Sequence, residues 1–313
     1  MIPSVDLADF LNNDPIRKNA FVNALGAAYS DIGFVAVKGH LLTEDTNEKL
    51  YAACQTFFAL PIDTKLKYEI PGLAGQRGYT SFGKEHAKGR NEGDLKEFWH
   101  FGQTVIDKDP IGEEYPQNVF VEEVPSFNEF GLKAYQQLEE TGRYMLRAIA
   151  LHLGLDEFFF DDKIKNGNSI LRPIHYPPIT AEPKSAVRAA EHEDINLITL
   201  LMGASAEGLQ VLNKQNDWVN ITALPDQLVV NVGDMLQRLT NNVLKSTTHR
   251  VINPPREKWQ SSRFSIPFFL HPRSDMKLNV LPSCVSEINP PQYLDITAGE
   301  YLQERLREIG LSK

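Results

Sequence analysis

The stretch Glu191-His192-Glu193-Asp194-Ile195-Asn196-Leu197-Ile198-Thr199-Leu200-Leu201 passes from charged to apolar within a few residues and reads as the opening of a β-strand. Alternate side chains of a strand share a face, so His192 and Asp194 are expected to point one way and Glu193 the other. An imidazole and a carboxylate on one face can grip a single ion. Downstream, the apolar run Leu228-Val229-Val230-Asn231-Val232 ends in the turn signal Gly233-Asp234, and beyond it stands Thr247-Thr248-His249-Arg250-Val251. A second imidazole from His249 would give two nitrogens and one oxygen on one side of the metal. That set suits non-haem Fe(II), because the remaining positions stay open for oxygen chemistry.

Arg263-Phe264-Ser265 alternates in the same manner, placing a guanidinium and a hydroxyl on one face of a further strand. An Arg fork beside a hydroxyl receives a carboxylate well, since parallel charge-assisted hydrogen bonds fix its position and orientation. A metal site next to a carboxylate clamp points to a chelating organic acid. A zinc hydrolase also uses two His and one acid, but the metalloprotease helix motif is absent: the residue three after Glu193 is Asn196, where His is required.

These elements, with Ile170-Leu171-Arg172-Pro173-Ile174-His175-Tyr176-Pro177-Pro178 upstream, resemble the isopenicillin N synthase-like branch of the Fe(II)- and 2-oxoglutarate-dependent oxygenases. The resemblance runs over nearly the whole chain. It takes in Ile2-Pro3-Ser4-Val5-Asp6-Leu7, Asp31-Ile32-Gly33-Phe34-Val35, Phe57-Phe58-Ala59-Leu60-Pro61, Gly208-Leu209-Gln210-Val211 and Asn231-Val232-Gly233-Asp234-Met235-Leu236. It implies a mainly β fold with flanking helices, a distorted jelly roll or double-stranded β-helix. It also implies a single oxygenase domain over 1–313: a mainly helical region over 1–165, the core carrying the iron site over 166–275, and a segment with a helix over 276–313.

By the same resemblance, His192, Asp194 and His249 bind Fe(II), and the far carboxylate of 2-oxoglutarate meets Arg263 and Ser265, with Tyr176 as a further donor to the cosubstrate. O2 is the other cosubstrate, and succinate and CO2 are released. Hydroxylation of a C–H bond in a small polar metabolite is the default outcome. Plant members of the family place Asn two residues before the Tyr, where this chain has Ile174; Arg172 is the residue that compensates. The interval from His249 to Arg263 is longer than usual, with an extended loop over 254–259, and loops lengthen at little entropic cost. Isopenicillin N synthase itself uses an Arg-x-Ser pair on its substrate's carboxylate and needs no 2-oxoglutarate. An oxidase using only Fe(II) and O2 is therefore the alternative, and a noncatalytic binding module on the same fold is a third reading.

For the substrate, Gln76 to Arg90 aligns with a family region that lines the pocket. Arg77 and Tyr79 are its candidate contacts to a carboxylate or a ring, with Arg172 beside them. Lys84, Glu85, Lys88 and Arg90 read as a solvated charged loop, and Lys96, Glu97 and Trp99 fit either reading. His40, His86, His100, His152, His175 and His271 read as structural or surface histidines, although His175, next to Tyr176, is also placed to line the cavity. Asn231 and Asp234 read as turn and strand-end residues.

The chain has 313 residues and a net charge of −9. That balance argues against nonspecific nucleic-acid binding, which rests on clustered Lys and Arg. The two cysteines, Cys54 and Cys284, form no disulfide or zinc framework and fit a reducing cytoplasm. No run approaches the ~18 apolar residues of a membrane helix. Oligomeric state leaves no mark. Apolar spacing predicts helices over 19–31, 43–60 and 124–155, a short strand over 34–37, and many short strands over 168–270. Thr297-Ala298-Gly299-Glu300 has capping-box spacing and opens a short last helix.

Overall fold

The computed structural model describes residues 2–73, 75–85, 93–183, 186–203, 207–222 and 224–308. Helix starts follow local chemistry. Asp14 accepts the Ile16 amide at 2.9 Å and Pro15 occupies the first turn of Pro15–Asp31. Thr43 caps Glu44–Phe58, and Pro125 opens the long helix Pro125–His152. At the far end, Thr297 and Glu300 form the capping box of Ala298–Glu308: Glu300 N donates to Thr297 Oγ1 at 3.2 Å, and Thr297 N to Glu300 Oε2 at 2.9 Å.

The front of the chain supplies strands β1 (Ser4–Asp6), β2 (Phe34–Lys38), β3 (Gly78–Thr80) and β4 (Glu97–Gly102). The second half supplies β5 (Ile170–Leu171), β6 (Ile174–Tyr176), β7 (Ala189–His192), β8 (Ile198–Met202) and β9 (Leu209–Leu212). It then adds β10 (Trp218–Asn220), β11 (Leu228–Val232), β12 (His249–Val251) and β13 (Arg263–Leu270). The larger sheet runs β1-β2-β11-β8-β13-β5-β4-β3, with β6 against β13 and β4, and the smaller runs β10-β9-β12-β7. Ala189, Val211 and Val251 of the small sheet pack with Phe34, Ala36 and Val229 of the large one, so the two sheets face each other as in a jelly roll.

The long helices cover the outer face of the large sheet. Leu138, Leu146 and Ile149 share one core cluster with Leu200, Phe268 and Leu270, and the rings of Tyr135 and Phe268 meet edge to face at 4.9 Å. Contact here is close enough to require glycine: a Cβ on Gly142 would stand 2.3 Å from Leu270 Cδ1. Leu200, Phe264 and Phe268 are core residues, as their apolar character implies.

Sequence periodicity finds the long helices and β2 but misses β1, β3 and β4 and the short helices Leu7–Leu11, Ile62–Leu66, Asp161–Ile164 and Asp234–Leu239. Two of these strands are three residues long, too short to show alternation. β4 hides its burial behind Glu97 and His100, which are tolerated inside because each is paired. β13 runs through Pro267. Its partner is interrupted between β5 and β6 at Arg172 and Pro173, where a single bond, Arg172 N to Pro267 O at 2.9 Å, spans the gap.

Candidate active site

The strand expected to carry both His192 and Asp194 stops between them. β7 ends at His192, and Asp194 lies in the connection 193–197 that crosses from the small sheet to β8 in the large one. The reason is a competing set of backbone bonds. Asp234 N donates to Asp194 O, Met235 N to Asn196 O and Gly233 N to Leu197 O, so the connection is held by the start of helix Asp234–Leu239. Gly233 permits this approach, since a Cβ there would lie 2.1 Å from Asn196 Oδ1.

His249 opens β12 directly opposite His192 in the ladder, and their rings lie 4.4 Å apart. Asp194 Oδ1 stands 3.9 Å from His192 Nε2 and 3.6 Å from His249 Nε2. Each imidazole commits Nδ1 to a carbonyl, His192 to Ala190 O at 2.7 Å and His249 to Thr247 O at 3.1 Å. With Nδ1 protonated, the lone pair of Nε2 faces Asp194, the arrangement of a ligating histidine. Desolvation of the imidazole, followed by the neighbouring His249, lowers His192 to about 4 although 41% of its side chain is exposed, so it is neutral near pH 7. Burial opposes ionisation of Asp194, yet His249, His192, Asn231 and Thr199 outweigh it and hold the carboxyl below its ordinary range.

The donor set fits a divalent cation. One ligand atom from each of the three residues falls within 4.8 Å of the others, and a buried carboxylate between imidazoles needs positive charge from elsewhere.

The triad opens into a cavity of about 450 Å³ that Arg263, Ser265 and Tyr176 also line. β13 places Arg263 opposite Tyr176 and Ser265 opposite Ile174, and the guanidinium lies 4.9 Å from the centre of the Tyr176 ring. Arg188 lies 5.8 Å from the same ring; burial first, then Arg263, pushes it down to about 10. Two guanidiniums therefore flank the Tyr176 ring.

Another part of the wall is a buried ionic cluster. Lys96 Nζ donates to Glu85 at 2.7 Å and to Asp94 at 2.9 Å, and Arg172 reaches Glu85 at 3.3 Å. Arg172 Nε donates to His100 Nε2 at 2.5 Å, and its guanidinium lies 4.4 Å from the Phe98 ring and 5.2 Å from Phe269. Burial, then Arg172, hold His100 well below its ordinary pKa, as an acceptor at Nε2 requires. Glu85 is thus a paired, partly buried wall residue and not part of a solvated loop, whereas Lys84 is exposed and pairs with Glu69. His86, Lys88 and Arg90 lie outside the described residues.

Arg77 and Tyr79 do not meet this cavity. Arg77 is buried against Gly102 and donates to Gln76 O at 2.7 Å, while Tyr79 donates to Glu97. Both are drawn inward by β3, which pairs with β4 in a register that buries residues 78–80. His175 also turns away from the cavity, meeting Glu97 Oε1 at 2.7 Å and Ser262 Oγ at 3.1 Å and stacking on Phe264. His100 and His271 line the cavity in its place.

Residues 167–272 match the 2OG-Fe(II) oxygenase superfamily, and residues 2–123 match the region described as non-haem dioxygenase in morphine synthesis N-terminal. A 2OG-Fe(II) oxygenase family protein from Caulobacter crescentus is 42% identical, with 98% of this chain and 99% of that chain covered at a TM-score of 0.89. Proline hydroxylase buaE of Petromyces alliaceus is 31% identical, covering 97% of this chain and 98% of its own length. The chain belongs to the 2OG-Fe(II) oxygenase superfamily.

The thymine 7-hydroxylase of Neurospora crassa, solved in complex with alpha-KG, is 30% identical with a TM-score of 0.85, covering 98% of this chain and 96% of that one. Together with the relatives named as 2-oxoglutarate-dependent enzymes, it decides between the two cosubstrate readings. This oxygenase is an Fe(II)- and 2-oxoglutarate-dependent dioxygenase. Reading the sequence misses Asn231 and Thr199, both of which line the cavity. Asn231 is the strand-end residue it reads as, within β11, but it is buried with its amide on Asp194, a role the sequence reading does not give it. The turn signal at Gly233 draws attention from it, and a polar residue inside an otherwise apolar strand is the available clue.

Proposed function

We propose that His192, Asp194 and His249 hold the Fe(II), that Arg263, Ser265 and Tyr176 hold 2-oxoglutarate, and that Arg172 receives the organic substrate. The iron supplies O2 activation coupled to oxidative decarboxylation of 2-oxoglutarate; the chain's own residues position and desolvate. The observation that carries the reading is the convergence of the triad and the Arg263–Ser265 clamp on one cavity. Arg263 and Ser265, 1% and 4% exposed, offer charge-assisted bonds in a water-poor setting. Such a site orients one carboxylate and leaves the rest of the acid aimed at the triad.

The substrate is a small polar metabolite. A volume of about 450 Å³ admits the cosubstrate and a compact partner. Arg172, braced by His100 and Glu85, is a fixed donor for a carboxylate or a ring carbonyl, with Phe269 as an apolar face. The Neurospora enzyme has also been solved with thymine, a planar ring of carbonyls and amides, so cyclic amides belong in the substrate panel beside amino acids. We read the whole chain as one oxygenase domain, because front-half residues Phe57 and Trp99 share a core with Phe264 and Phe268. We place it in the cytoplasm, where its buried, free cysteines would persist; no helix among the described residues is long and apolar enough to cross a membrane.

Anaerobic titration of the apoprotein with Fe(II), with and without 2-oxoglutarate, tests the site. A visible charge-transfer band that needs both additions, and is lost in Asp194→Ala and weakened in Arg263→Met, is the expected result. Bands unchanged in both variants would place the site elsewhere. Succinate release across a panel of amino acids and cyclic amides then finds the substrate class, and Arg172→Met should raise its KM.

A further inference from the structure

We propose that Thr199 and Asn231 are positioning residues that restrict Asp194 to ligation through one oxygen and so keep open the metal position that O2 must enter. The inference rests on His192, Asp194 and His249 being the metal ligands. Thr199 and Asn231 are direct partners across the antiparallel β8–β11 ladder, so their side chains rise from the same face of the large sheet. Both converge on one atom. Thr199 Oγ1 donates to Asp194 Oδ2 at 2.6 Å and Asn231 Nδ2 donates to the same oxygen at 2.8 Å.

A third residue fixes the direction of the first bond. Asn196 Nδ2 donates to Thr199 Oγ1 at 2.8 Å, which occupies the hydroxyl as an acceptor and leaves its proton for Asp194. Asn196, Thr199 and Asn231 are 0%, 3% and 4% exposed, so water does not compete with them. Oδ2 is therefore taken, and Oδ1 is the oxygen that faces His192 and His249.

A six-coordinate ion held by these three ligand atoms would have three positions left, two of which a chelating 2-oxoglutarate would take, leaving one for O2. A carboxylate free to rotate can bind through both oxygens and close that last position. Two donors on Oδ2 oppose the rotation, and because both are neutral they leave the carboxylate its full charge for the metal. A Lys or Arg in either place would orient Asp194 equally well while competing with the ion for its charge.

The test uses the full-length protein and two probes. Mn(II) affinity is measured by the loss of the free-ion resonance, and nitric oxide, an O2 surrogate, is titrated into the anaerobic Fe(II) and 2-oxoglutarate complex. Thr199→Val and Asn231→Leu should each weaken Mn(II) binding about tenfold, the effect of removing a partner that orients a ligand. Each should also lower the nitric oxide signal at matched Fe(II) occupancy, a change that a purely structural role would not produce. Thr199→Ser keeps the hydroxyl and should restore both. If Asn231→Leu fails to fold, the Val and Ser pair at Thr199 decides alone. Wild-type Mn(II) and nitric oxide affinities in the variants, with Asp194→Ala losing the metal, would overturn this inference only. Metal retained in Asp194→Ala would overturn the ligand assignment beneath it.

Discussion

His192 and His249 each face Asp194 through Nε2 because each Nδ1 is held by a carbonyl two residues earlier, Ala190 O and Thr247 O. Two bonds of the same type on two strands of one sheet make the pair of imidazoles rigid before any ion arrives. Asp194→Ala removes the only carboxylate of that set and relieves a buried charge. The variant should stay folded by circular dichroism while Fe(II)-dependent succinate release falls to background; retained turnover would refute the assignment. Arg263 differs in kind, since the role proposed for it is in binding 2-oxoglutarate. Losing a charge-assisted bond of about 1.5–3 kcal/mol corresponds to roughly a 10- to 100-fold rise in the KM for 2-oxoglutarate in Arg263→Met. Steady-state kinetics at saturating Fe(II) measure it, and kcat at saturating cosubstrate should change far less.

At the scale of elements, the wall around β4 shows how a polar strand can be buried. Lys96 lies between Glu85 and Asp94, and Arg172 reaches Glu85, so four charges cancel within the cavity lining. Removing one member leaves its partners buried and uncompensated. Glu85→Gln should therefore cost about 3–5 kcal/mol in urea unfolding. A loss below about 1 kcal/mol, the range of an exposed pair, would show the cluster to be solvated.

This cluster also marks where the sequence stops being readable. Helix starts, the β-rich second half and the candidate metal triad, whose three side chains the fold brings together, are written in local signals: a Pro or Thr before an apolar stripe, short runs between turns, a His-x-Asp. β4 and Glu85 are not, because a charged residue looks the same in a sequence whether it is solvated or paired inside. Arg77 and Tyr79 are misread for the same reason: a polar loop near a pocket says nothing about which side chains turn toward it. The strand reading of Arg263-Phe264-Ser265 succeeds because alternation is a purely local property.

At the scale of the whole molecule, the cavity between the two sheets concentrates neutral imidazoles, and this gives the fold a defined pH window. Burial lowers His271 to about 4, His192 is lowered to about 4, and His100 is held well below its ordinary value. In the unfolded chain each would titrate near about 6.5. The folded state therefore binds fewer protons than the unfolded state below that pH, so stability is full above about 6.5 and is lost as pH falls toward the folded values.

The carboxylates held low, Glu85 and Asp194, follow the same sign but in a lower window, because their unfolded forms take up protons only near about pH 4.5 and below. Between about pH 6.5 and 5 the loss is thus carried by histidine. His192, with 41% of its side chain exposed, contributes least per group, whereas His271 is 7% exposed and contributes most cleanly. Urea midpoints of the apoprotein should fall across this interval, with His271 responsible for about 2 kcal/mol at about pH 5. His271→Gln removes the titrating group and should flatten the profile by that amount between about pH 6.5 and 5, while leaving the slope unchanged only below about pH 3, where the folded imidazole is protonated as well. An unaltered profile in the variant would mean that His271 is as easily protonated in the folded protein as in the unfolded chain, and that the cavity wall is open to water.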